Sequence, residues 1–129
     1  PTPTPKPTPT PTPTPKPTPT PTPSTFAIAT AAESVTWQVN NSNKCKLDTI
    51  TATGTFRMQA GGRAGTVSYI WIRDNGAYVS PVYTIAVAAG DTSAHAVVTD
   101  SWKPSANGNE QLVFKTPGFS VAPQSFTCR

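Results

Sequence analysis

Residues 66–74 read TVSYIWIRD, with Val67, Tyr69 and Trp71 on one side of an extended chain and Ile70 and Ile72 on the other. A strand apolar on both faces is covered on both faces, so this stretch is expected at the centre of a sheet. Asp74-Asn75-Gly76 follows it and predicts a tight turn, because Asn, Asp and Gly tolerate the left-handed backbone that such turns need. Outward from this strand the hydrophobic period stays at two. Val35, Trp37 and Val39 alternate with Thr36, Gln38 and Asn40, predicting a strand over 34–40. Ile50, Ala52, Gly54, Phe56 and Met58 alternate with threonines and Arg57, predicting a second over 48–59, and Gly61, Gly62 and Gly65 turn the chain into the third. Further strands are expected over 82–87, 94–102, 110–116 and 124–128, separated by Gly90-Asp91, Pro104 to Gly108 and Pro117-Gly118. Short strands punctuated by turns about every ten residues, with no helical period, predict an all-β, seven-stranded antiparallel immunoglobulin-like sandwich over 34–129.

Two cysteines, Cys45 and Cys128, stand near opposite ends of this region. If the strands alternate up and down, the start of the second and the end of the seventh meet at one pole, where a disulfide between the two is expected. A bridge closing so long a loop stabilises by about 4–5 kcal/mol in the chain-entropy model and implies an oxidising compartment. The first strand then begins at the opposite pole, so the N-terminal segment leaves one end of the domain and Arg129 the other.

That N-terminal segment is of another kind. Every odd position from Pro1 to Pro23 is proline, and PTPTPKPTPT occurs twice, at 1–10 and 11–20. Proline fixes φ near −65° and lacks an N–H, which excludes a helix or a central strand and leaves an extended, polyproline-II-like rod of roughly 70 Å. Residues 1–23 are therefore expected to be a stiff stalk, and 24–33 a connector. Thr2, Thr4, Thr8, Thr10, Thr12, Thr14, Thr18, Thr20 and Thr22 spread hydroxyls around the rod, the composition of an O-glycosylated stalk. An undecorated linker is the alternative. A third reading is that the segment pairs with a neighbour's sheet edge: all threonine bonding groups face one way, so it adds one strand and offers no edge for further growth.

The net charge is +4, of which Lys6 and Lys16 supply two, leaving the rest of the chain near +2 with no basic cluster. Nucleic-acid binding is not expected. Nor is membrane insertion in this segment, since no apolar run is long enough to span a bilayer. The chain opens at Pro1 rather than methionine, and further sequence is expected before it.

The run GTVSYIWIRDNGAYVSPVYTIAV (65–87), VVTDSWK (97–103), SFTC (125–128) and Cys45 resemble an Ig-like module. It recurs near the C-termini of secreted and surface-anchored proteins of Gram-positive-type bacteria such as actinobacteria and Chloroflexi, often after Pro/Thr-rich linkers. The family's Tyr-x-Trp-x-Arg strand and Asn-Gly turn map onto Tyr69, Trp71, Arg73 and Asn75-Gly76. The resemblance implies a bacterial extracellular module with no activity of its own. The cysteines depart from antibody domains, whose bridge crosses the centre of the sandwich, so antibody-like binding loops are not implied.

Candidate chemistry is sparse. His95 is the only histidine and reads as a strand-face residue without metal or triad partners. Glu33, Asp48, Asp74, Asp91, Asp100 and Glu110 fall in predicted turns and strand ends, with no glycosidase-type pair marked and no DxDxDG calcium run. No cofactor or metal is expected. Trp71 is expected in the core. Trp37, Trp102, Tyr78 and Tyr83 are candidates for contact with a polysaccharide or another subunit. The leading expectation is a non-enzymatic extracellular structural protein that self-associates into a surface fibre. The alternative is a carbohydrate- or ligand-binding module tethered to an enzyme or receptor kinase.

Overall fold

The computed structural model describes residues 2–18, 25–37, 44–45 and 48–128. Thr20, Thr22, the 38–40 end of the first expected strand and the polar loop before Lys44 lie outside the described residues. The fold is all-β and consists of two antiparallel sheets. In one, β1 (Ile28–Trp37) pairs with β2 (Ile50–Met58), which also pairs with β6 (His95–Ala96) and β7 (Asp100–Trp102). In the other, β3 (Gly65–Arg73) is central: β8 (Gly108–Thr116) lies on one side, and β4 (Tyr78–Val79) and β5 (Tyr83–Val87) on the other. The outer edge of β8 carries β9 (Gly118–Phe119) and β10 (Gln124–Phe126).

Period-two alternation decides what each strand buries. On β2, Ile50, Ala52, Phe56 and Met58 face inward, while Thr51, Thr53, Thr55 and Arg57 form the outer face with Thr30, Ala32, Ser34 and Thr36 of β1. Val67, Tyr69 and Trp71 of β3 are fully buried and meet them across the core, together with Leu112 and Phe114 of β8. A second cluster, Cys45, Ile50, Phe126 and Cys128, closes one pole around the Cys45–Cys128 disulfide. Asp74, Asn75 and Gly76 all take positive φ, and Asn75 exchanges hydrogen bonds with Asn109 across that turn.

Among the described residues the structure has ten strands, against the seven expected. β1 starts at Ile28, inside the expected connector: Ala29, Ala31 and Ala32 blur the alternation in sequence, yet the register with β2 runs from Ile28↔Met58 to Trp37↔Ile50. The expected strand over 94–102 is broken in two. At the break, Val97 N–H donates to Gly54 O, but Val98 leaves the ladder: its N–H donates to the Tyr69 hydroxyl (2.7 Å) and its carbonyl accepts from Trp71 Nε1 (2.7 Å). Side chains of the opposite sheet have captured both backbone polar groups of Val98. β4 and β9 are two-residue additions flanking β3 and β8.

Candidate functional site

Residues 2–18 belong to no helix or strand, and every one is exposed. Thr2, Thr4, Thr8, Thr10, Thr12, Thr14 and Thr18 therefore present their hydroxyls freely. The chain joins the domain at the pole away from the disulfide, where Arg63 N–H donates to Thr25 O (2.8 Å) and Gln59 N–H to Ala27 O (2.9 Å).

The four aromatic candidates do not form one strip. Trp37 and Trp102 flank Ile50 in register, on the inward face of their sheet, and are half-buried against the disulfide cluster. Tyr83 packs on Tyr69 with ring centres 5.6 Å apart and belongs to the core edge. Tyr78 alone is open, at 40% exposure. Arg73 unites Tyr78 with Trp102. Its guanidinium carbon lies 3.9 Å from the centre of the Tyr78 ring and 4.3 Å from that of Trp102. It also forks onto Asp100, with Nη2 to Oδ1 at 2.6 Å and Nε to Oδ2 at 2.9 Å. A planar cation stacked on two rings and held by a bidentate carboxylate is fixed in orientation, which lysine would not reproduce. The stack joins the two sheets along one long side of the sandwich. The large apolar residues left exposed, Tyr78, Val79, Val82 and Val98, all lie on the two segments that border this side.

Inside the sandwich the structure brings together two acidic residues that looked scattered in sequence. Glu33 of β1 and Glu110 of β8 face each other from opposite sheets, and Glu110 is fully buried. Leu112 N–H donates to Glu33 Oε2 at 2.6 Å, filling a gap on the edge of β8 between its β10-paired and β9-paired ends. With both carboxyls ionised, Glu33 Oε1 and both Glu110 oxygens are buried with no donor among the described residues. With one protonated, the two bond to each other. Burial accordingly raises Glu33 to about 7, against the lowering effect of the Leu112 N–H. Burial, helped by the negative charges of Glu33 and Asp100, raises Glu110 to about 8. The inward parity of Glu110, beside Leu112 and Phe114, was the signal in sequence for its burial. Glu33 gives none, because Ala29, Ala31 and Ala32 hide the early start of β1 in the sequence.

His95 lies in β6, stacked on Phe56, with Nε2 3.0 Å from Asp91 Oδ2. Asp91 accepts foremost from the Ser93 hydroxyl, and from its N–H, which holds its carboxyl below the usual range. Ser93 thus bonds to the carboxylate and not to the imidazole. Among the described residues, no three His, Cys, Asp or Glu side chains cluster as a metal site, and no helix is long and apolar enough to cross a membrane.

No protein-family model, curated protein or solved structure matches this chain.

Proposed function

We propose that the chain is a non-enzymatic structural protein of the bacterial cell exterior, in which an immunoglobulin-like bead and a stiff, O-glycosylated Pro/Thr stalk form the repeating subunit of a surface fibre or appendage. The observation that carries this reading is the contrast between the two parts. Residues 2–18 are exposed throughout and make no ladder with the domain. The domain is a disulfide-tied sandwich whose two acidic residues closest to a catalytic pair, Glu33 and Glu110, face each other from opposite sheets with Glu110 fully buried. A stalk that no core absorbs, set at the pole away from the disulfide, serves reach and linkage rather than chemistry. The disulfide fits a secreted protein. The alternative of a sugar-binding module needs a plane of open rings, whereas Trp37 and Trp102 turn toward the disulfide cluster.

Two measurements test it. Intact mass of secreted protein is expected to show hexose-spaced additions confined to peptides from residues 1–23, and electron microscopy of the same material is expected to show regular filaments. The bare chain mass would remove the glycosylated stalk. Strictly monomeric behaviour at high concentration would remove the fibre.

A further inference from the structure

We propose that the Tyr78–Arg73–Trp102 side of the sandwich is a socket for the Pro/Thr arm of a second copy of this chain, an inference that rests on the fibre reading above and names its contact. Extended proline-rich chains are recognised by grooves of aromatic side chains, because the rod is already ordered and loses little entropy on docking. The arm is such a rod by sequence, and its described residues 2–18 are all exposed. Its twelve prolines are the only rigid apolar groups it carries. Among the described residues a matching surface lies where Tyr78 is open and Trp102, half-buried against the disulfide cluster, stands beside it, the two ring centres 3.9 and 4.3 Å from the carbon of the Arg73 guanidinium locked on Asp100. Val82 and Val98, at 58% and 48% exposure, extend the apolar strip along the same side.

Placement says whose arm fits. The arm leaves from the pole where Thr25 and Ala27 bond to Arg63 and Gln59. Trp102 lies toward the other pole, in register with Ile50 and Trp37 and packed on Phe126 of the disulfide cluster. Alternate prolines favour an extended rod, and Thr25 and Ala27 are tied to the domain at the far pole. A neighbour's arm reaches the socket in line. Arm-to-socket contact joins two different surfaces, so it is heterologous and extends into a filament unless the rotation closes a ring.

The test places p-benzoylphenylalanine at Tyr78 in the full recombinant chain, which keeps an aromatic group at an exposed position, followed by irradiation and peptide mapping. Cross-linked dimers joining position 78 to residues 1–23 are the expected result. A synthetic PTPTPKPTPTPTPTPKPTPT peptide is expected to compete for that cross-link. Tyr78→Ala, with its unfolding temperature measured alongside, is expected to raise the concentration for half-assembly roughly three- to tenfold, the effect of losing one aromatic contact. If filaments form but position 78 cross-links only to other domains, or Tyr78→Ala assembles as readily as the parent, the socket is wrong while the fibre reading stands. If the chain stays monomeric throughout, both fall together.

Discussion

Glu33 and Glu110 reach toward one another from strands of opposite sheets, and Glu33 Oε1 and both Glu110 oxygens are buried with no donor among the described residues. Unfolded, each ionises near its ordinary value of 4.5, whereas in the fold each holds its proton until about 7 and about 8 respectively. Between those limits the native state binds more protons than the unfolded chain. The stabilisation is therefore fully present below about pH 4.5 and is lost as pH rises through 7 to 8. If even one pKa unit of the shift survives solvent screening, about 1.4 kcal/mol, a domain of this size loses roughly 6–11 °C in Tm between pH 5 and pH 9. Glu110→Gln, which stays neutral and can donate to Glu33, is expected to flatten that slope and to melt higher than the parent at pH 9. A thermal scan at both pH values checks it; an unchanged slope would place the pair in a wetter environment than described. Arg73→Lys keeps the charge but loses the fork on Asp100 and the flat face between two rings, and is expected to cost about 1–3 kcal/mol in urea unfolding.

β4 is held by one small side chain beyond its two residues. Ser80 N–H donates to Trp71 O at 2.8 Å, and its hydroxyl accepts from Trp71 N–H at 2.8 Å, so the central strand stays paired where the ladder ends. Ser80→Ala leaves the Trp71 N–H buried without an acceptor, with an expected loss of about 1–3 kcal/mol. Hydrogen exchange at Trp71 should rise selectively; exchange unchanged there would show that another group takes over. β2 has an equally local constraint. A Cβ on Gly54 would lie 2.8 Å from Leu112 Cδ2 and 3.0 Å from Val97 Cγ2, so any side chain here obliges those two to shift. Strands β2, β3 and β8 were legible in the sequence because each alternates strongly over nine residues. The early start of β1 and the break between β6 and β7 were not. Alanine carries little periodic signal, and the break depends on Tyr69 and Trp71, which are remote in sequence from Val98.

Across the molecule the disulfide joins residues 83 apart in sequence at one pole. Cys45→Ser with Cys128→Ser is expected to lower unfolding free energy by about 4–5 kcal/mol, read from denaturant midpoints with the parent kept oxidised. A loss under about 1 kcal/mol would mean the unfolded chain is already held compact. The exclusion of helix and strand from residues 2–18, the all-β fold, the central place of TVSYIWIRD and the pairing of Cys45 with Cys128 follow from local rules: imino acids at alternate positions, side chains alternating across a pleat, and the parity of strands. The joining of Glu33 to Glu110, the capture of Val98 and the stacking of Arg73 between Tyr78 and Trp102 required the packed fold. Each depends on which strands face each other across the core, a choice made by the whole set of contacts and written in no single stretch of chain.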